Sequence, residues 1–326
     1  MEPIIDYQSI AIETIQNKEA MMISGGGTLG IALVGALETL TEMGLKLHKI
    51  RKIKGSSVGS IIATSIACGA NIEYMKKTIE EMNLMKFRDH DWFICSLFQL
   101  IFKYGLNKTD PIRRFASQVL LDLTGKSDMT FQEHYNKTGI HLIITYLSMN
   151  LEETIYADYI NEPNSSIVET IVKSSSIPLF YEGHFTKGKE VQLAVDGGTL
   201  DNYSFNYLRN GIESKYILGL KLVPEDDVLD ETNVGYDNSA KHVDRGFPKN
   251  TVEYFTRLIY LMRKQAMKIH VKENDWMSSV KINVGKITST DFNLTPEQKV
   301  WLYEQGKQGA LNYLDELTDL IKTGKY

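Results

Sequence analysis

Two cysteines in 326 residues, Cys68 and Cys95, are too few for a disulfide framework and lack the company of a thiolate metal site. Reducing surroundings are the simplest expectation. Basic residues are also in short supply: 36 Lys and Arg face 41 Asp and Glu, a net charge of −5 with no arginine-rich run. That balance lacks the broad positive field by which a protein holds nucleic acid, so no nucleic-acid partner is expected. The opening MEPIIDYQSIAIETIQNKEA carries acidic groups where a secretory leader has a basic start and an apolar core. Long apolar runs are missing as well. The least polar stretch, Ala20 to Leu37, is punctuated by glycines and reads as strand, loop and helix rather than as a membrane span. The chain is therefore expected in the cytoplasm or at a membrane periphery, with leader-independent secretion still open to it. There is no H-E-x-x-H, no cysteine cluster and no EF-hand-like acidic series, so neither a metal nor a cofactor is expected.

What is present is a repeating α/β pattern. The apolar Ala20 to Ile23, the flexible Gly25 to Gly27 and the helical period of Leu29 to Leu40, ending before Gly44, predict strand, loop and helix. The pattern recurs with a strand at Ile50 to Lys54, a tight turn at Gly55 to Gly59 and a helix from Ser60 to Cys68. Further strands are predicted at His141 to Ser148, Val191 to Val195, Tyr216 to Leu222 and Val280 to Val284, with a helix at Ser166 to Ser175. Strands alternating with helices argue for a mostly parallel, helix-covered sheet. Residues 71–126 read as an inserted helical cap. They contain an apolar run including Trp92, Phe93, Phe98 and Phe102, with Lys103, Lys108, Arg113 and Arg114 following. This run is a candidate lipid contact, although core packing is the commoner fate of such residues. Pro224 to Asn250 reads as a long connection, Val252 to Ile269 as a helix, and Thr295-Pro296 as the cap and first turn of a terminal helix.

Three turns carry chemistry. Gly55-Ser56-Ser57-Val58-Gly59 fits G-x-S-x-G between a strand and a helix, the setting that presents a nucleophilic serine, here Ser57, on a sharp elbow. In Ser24-Gly25-Gly26-Gly27-Thr28-Leu29-Gly30, the N–H groups of Gly26 and Gly27 can cradle an acyl oxyanion. Gly25, Gly27 and Gly30 equally satisfy G-x-G-x-x-G, which keeps a nucleotide-dependent oxidoreductase in view. Against that reading, no Lys-Ser or Lys-Thr ends the loop, and Lys54-Gly55 stands where a ribose-binding acid is expected. The third turn, Asp196-Gly197-Gly198, puts a carboxylate at a strand end, where it can serve as a base or simply brace the turn. None of the seven histidines lies in a recognisable base motif.

These three motifs, in this order, resemble the patatin-like phospholipase family. The likeness runs from about Ala20 to Tyr207 and takes in Ser174-Ser175-Ser176-Ile177-Pro178-Leu179-Phe180 and Asn202. It implies a three-layer α/β/α hydrolase that cleaves lipid acyl esters with a Ser–Asp dyad. Carried onto this sequence, Ser57 is the nucleophile, Asp196 the base, and Gly26 and Gly27 the oxyanion hole. Gly25, Gly30, Gly55, Gly59, Gly197 and Gly198 support the turns. Leu29 departs from the family, which commonly has Arg or Lys there, and removes a candidate contact for a lipid phosphate; Ser56 replaces a common Thr. The expectation is one hydrolase domain over residues 1–326, with a core at 18–223, the cap at 71–126 and a packed C-terminal region at 251–326. Its partners would be phospholipid or neutral lipid and, as in some latent enzymes, an activating protein. A lipid-binding or interaction module without turnover is the remaining alternative.

Overall fold

The computed structural model describes residues 5–81, 84–87, 100, 102–186, 192–225, 247–248, 254–255, 257–259, 261–262, 265–266, 271 and 273–326. Along the chain come β1 (Ala20–Ile23), β2 (Lys52–Ser56), β3 (Gly105–Asn107), β4 (His141–Ser148) and β5 (Glu153–Ala157). They are followed by β6 (Leu179–Tyr181), β7 (His184–Thr186), β8 (Gln192–Asp196), β9 (Ile217–Val223) and β10 (Ser279–Asn283). The main sheet has the order β10-β9-β1-β2-β4-β8-β7, with β5 also on β4, while β3 pairs separately with β6. From β10 to β4 every pairing is parallel. This is the mostly parallel α/β sheet that the strand and helix alternation predicts. Beyond β4 the pairings are antiparallel. Connection length accounts for two of these pairings, because the few residues between β4 and β5, and between β7 and β8, suffice for a reversal but not for a crossover.

Helices α1 (Tyr7–Gln16), α2 (Gly30–Glu42), α3 (Val58–Ala67), α4 (Ile72–Glu81), α5 (Asp110–Thr124), α6 (Phe131–Thr138), α7 (Ile167–Ser175) and α8 (Pro296–Lys322) complete the main elements. One face of the sheet, with Met21, Ile23, Ile53, Leu142, Ile144, Leu218, Leu220 and Ile282, shares a single core with residues of α1, α2, α3, α7 and α8. Helix α2 is apolar almost all round because it lies between the sheet and α8. The two helices meet glycine against backbone: a Cβ on Gly35 would overlap the Tyr303 carbonyl, and one on Gly306 the Ala32 carbonyl. Thr295 caps α8 in a reciprocal box with Gln298, and Pro296 occupies the first turn, as the sequence predicts.

The opposite face carries a smaller apolar cluster of Ala20, Met22, Ile143 and Ile217 under Tyr203, Phe205, Leu208 and Val271. Among the described residues, Lys18, Lys52, Lys54 and Lys221 are buried at or near this side. Lys18, just before β1, donates to Lys215 O (2.8 Å), Ile217 O (3.2 Å) and Tyr326 Oη (2.9 Å), all uncharged oxygens. Burial pulls its ammonium from the ordinary 10.5 down to about 7. The unfolded chain therefore holds one more proton than the folded chain between those two values. Stability should be flat in this contribution below pH 7, where the penalty is complete, and should rise from pH 7 toward 10.5 as the folded lysine sheds its proton. Lys18→Met should remove that rise. Paired urea titrations across this range check it, and identical slopes for the two proteins would count against it.

Candidate active site

The carboxyl ends of β1, β2 and β8 converge. Adjacent residues of β4 hold two of them in register: Thr145 pairs with Ser56, and Tyr146 pairs with Asp196. Ser57, directly after β2, has φ +52° and ψ −129°, a conformation that L side chains rarely adopt. Its backbone is held from both sides. The Ser57 N–H donates to Ser174 Oγ (2.9 Å), and the Ser57 carbonyl accepts from Ser60 N (2.8 Å) and Ser60 Oγ (2.6 Å). Ser174 Oγ in turn donates to Thr145 O (2.6 Å), tying the elbow to β4 through the end of α7. Ser57 also stands at the amino end of α3, where the helix dipole favours negative charge.

Asp196 ends β8. Its N–H donates to Ser176 O (2.9 Å), and its Oδ1 accepts from Gly198 N (2.6 Å), which fixes the carboxylate over its own turn. The α7 segment thus touches both candidate catalytic residues, through Ser174 and through Ser176. Both Ser57 and Asp196 are 5% exposed.

The glycine loop follows β1. Ser24 N donates to Leu220 O (3.0 Å), Gly25 N to Asn202 Oδ1 (3.0 Å) and Thr28 N to Ser289 O (3.1 Å). Between these anchors, the N–H groups of Gly26 and Gly27 find no acceptor among the described residues, as an oxyanion cradle requires. Gly27 has φ +54°, and a Cβ there would overlap the Ser289 carbonyl oxygen, so the position admits only glycine without rearrangement.

Asn202, buried four residues beyond the Asp-Gly-Gly turn, joins the three elements. A Cβ placed on Gly25 would lie 2.6 Å from Asn202 Oδ1 and 2.9 Å from Ser57 Cβ. One placed on Gly198 would lie 2.6 Å from the same oxygen and 2.9 Å from Asp196 Oδ1. Behind Asn202, Asp201 Oδ2 meets Lys54 Nζ at 2.8 Å and accepts from Tyr156 Oη at 2.6 Å. Burial lowers the Lys54 ammonium while Asp201 opposes the shift, and burial together with Asp201 pushes the Tyr156 hydroxyl up. Among the described residues, no three His, Cys, Asp or Glu side chains gather as a metal site.

The sequence model of the family described as patatin-like phospholipase matches residues 21–209, a span that holds all three turns. This chain belongs to the patatin-like phospholipase family. An uncharacterized protein of Bacillus subtilis, YqhO, is 26% identical over 307 residues, covering 91% of this chain and 98% of its own length. Triacylglycerol lipase ptl3 of Schizosaccharomyces pombe is 29% identical over 184 residues, 56% of this chain and 37% of the lipase. This chain thus spans little more than a third of that lipase. VipD from Legionella pneumophila has the same fold, with a TM-score of 0.62 at 16% identity over 92% of this chain and 67% of VipD.

Within this patatin-like framework the remaining motif glycines sit where neighbouring segments press close. Gly30 faces the Val58 side chain, Gly55 the Gly59 backbone, Gly59 the carbonyls of Ile23 and Ser24, and Gly197 the Thr145 carbonyl. Of the suggested lipid contacts, Trp92, Phe93 and Phe98 lie outside the described residues, and Phe102 is solvent-exposed. Ser174 and Asn202 were legible only as parts of the resembling stretch, without roles. The Lys54–Asp201 pair had a local signal, a lysine between Ile53 and Gly55 in a strand predicted for a helix-covered sheet. The carbonyl of Ser289 had none, since a backbone contact between distant segments leaves no mark on residue type.

Proposed function

We propose that the chain is a serine acyl hydrolase of lipid carboxylic esters, acting as a phospholipase A or a related lipase through Ser57 and Asp196. The observation that carries this reading is the meeting of the Ser57 elbow, the Asp196 turn and the two uncommitted amides of the glycine loop around Asn202. Ser57 Oγ attacks the acyl carbon as Asp196 takes its proton, and the carbonyl oxygen gathers negative charge against Gly26 N–H and Gly27 N–H. Collapse of the tetrahedral adduct breaks the ester C–O bond, and the proton passes from Asp196 to the departing alcohol. Asp196 then draws a proton from water, whose oxygen attacks the acyl-enzyme. A second tetrahedral adduct collapses, the fatty acid leaves, and the proton returns to Ser57.

Two features favour neutral acylglycerols over phospholipids within this class. Leu29 is buried and offers no cation to a phosphate, and two of the relatives, in Schizosaccharomyces pombe and Saccharomyces cerevisiae, are named triacylglycerol lipases. Among the described residues no helix is long and apolar enough to cross a membrane. Purified protein should release fatty acid from triacylglycerol and diacylglycerol emulsions at least about tenfold faster than from phosphatidylcholine vesicles. That ratio is on the order of 1.4 kcal/mol of differential transition-state binding. A reversed ratio would return the reading to phospholipase A. Hydrolysis of none of these or of a short-chain ester would favour the module without turnover, and labelled dinucleotide binding lost in Gly27→Trp would favour the oxidoreductase.

A further inference from the structure

The residues matched by the family end at 209, yet a turn far beyond them touches the glycine loop. Five residues beyond the end of β10, Thr288 to Phe292 form a compact turn in which Thr288 N donates to Asp291 Oδ2 (2.8 Å) and Phe292 N to Thr290 O (3.1 Å). Two of its carbonyls reach Thr28: Ser289 O accepts the Thr28 N–H at 3.1 Å, and Thr288 O accepts Thr28 Oγ1 at 3.3 Å. Gly27 lies so close beneath Ser289 that it has no room for a side chain. At the other end of the turn, the buried Phe292 ring stacks on Phe180 at 5.2 Å and 9° and meets Tyr181 edge-on at 6.4 Å. Phe180 continues the segment whose Ser174 and Ser176 hold Ser57 and Asp196. Leu179, just before it, has φ +67°, a conformation that a branched side chain keeps only when its surroundings impose it.

These contacts close a ring. The glycine loop is joined to the turn by Ser289, the turn to Phe180 by Phe292, and the Phe180 segment to both members of the dyad by Ser174 and Ser176. We propose that the turn Thr288–Phe292 is a positioning element of the active site, with Phe292 as its key residue, which fixes the Gly26 and Gly27 amides relative to Ser57. The inference rests on the acyl-hydrolase reading. Oxyanion donors act only from one position, and displacement of the order of an ångström forfeits most of their effect. A turn that holds the donor loop at one end and the dyad's bracing segment at the other would set that position.

The test compares wild type with Phe292→Ala, Phe292→Tyr and Thr28→Val on a soluble short-chain ester, with active sites counted by fluorophosphonate titration. Affinity for a trifluoromethyl ketone is measured alongside, because its tetrahedral adduct places an oxyanion where the ester's would form. Phe292→Ala should lower kcat per titrated site by about 10- to 100-fold, weaken the ketone by a similar factor and change KM by less than about threefold. Phe292→Tyr, which keeps the stacked ring, should stay near wild type, and Thr28→Val should show a smaller loss of the same kind. Wild-type kcat per titrated site and ketone affinity in Phe292→Ala, with only a lower Tm, would overturn the inference and leave the hydrolase reading standing. A wild-type protein inert toward ester, phosphonate and ketone would overturn both.

Discussion

Ser57→Ala and Asp196→Asn should each lower kcat/KM on a hydrolysable lipid ester by about 10,000-fold or more, with little change in thermal stability. The separation of chemistry from folding follows from which atoms hold the site together. The Ser57 elbow is secured through its N–H and its carbonyl, by Ser174 and Ser60, so alanine keeps every bond that maintains the positive φ. Asparagine at 196 can still accept the Gly198 N–H through its amide oxygen and still offers its backbone N–H to Ser176. What disappears is the proposed nucleophile in one variant and the proposed proton acceptor in the other. On the proposed mechanism the two act as one unit, so the double variant should be no slower than either single variant beyond a small factor. Comparison of kcat/KM with calorimetric Tm for the four proteins is the decisive measurement. Wild-type turnover in Ser57→Ala would remove Ser57 from the mechanism, and additive losses in the double variant would argue for independent roles.

The parts of this site visible in the sequence are those that local chemistry marks. β4 announces itself as a mostly apolar run, Leu142 to Leu147 broken only by Thr145, because both its faces are covered, and the glycines of the three turns mark places where neighbouring segments press close. The helix starts at Ser166 and Thr295 were readable because capping is a local transaction between neighbouring side chain and backbone. The antiparallel end of the sheet was harder to see. β5, with its mixed burial, has no strong period, and β6 and β7 are three residues each, too short for a pattern. The expected strand Ile50 to Lys54 starts two residues later and runs to Ser56, because pairing with β1 and β4 draws Gly55 and Ser56 into the ladder before the chain turns. Contacts made by main-chain atoms across long separations, such as Ser289 O with Thr28 N, constrain no side chain except the glycine beneath them.

Lys54 was the residue whose chemistry fitted its strand least, and it carries the second large expectation. Its ammonium and the Asp201 carboxylate are almost completely buried, and Lys54 also donates to Ser204 O (3.2 Å) and lies over the Tyr156 ring at 4.7 Å. Lys54→Met should therefore cost about 3–5 kcal/mol, because Asp201 would be left as a buried charge with Tyr156 on Oδ2 and no partner on Oδ1 among the described residues. In Lys54→Met/Asp201→Leu both charges are gone, and much of the stability should return, since a buried pair repays little more than its own desolvation. Chemical denaturation measures all three proteins, and a single variant as stable as wild type would contradict the account. Activity then separates two roles for the pair. Asp201 directly precedes Asn202, which contacts the glycine loop, so a double variant that regains stability but not kcat would place the ion pair among the groups that aim the oxyanion donors. One that regains both would show that the pair serves the fold alone.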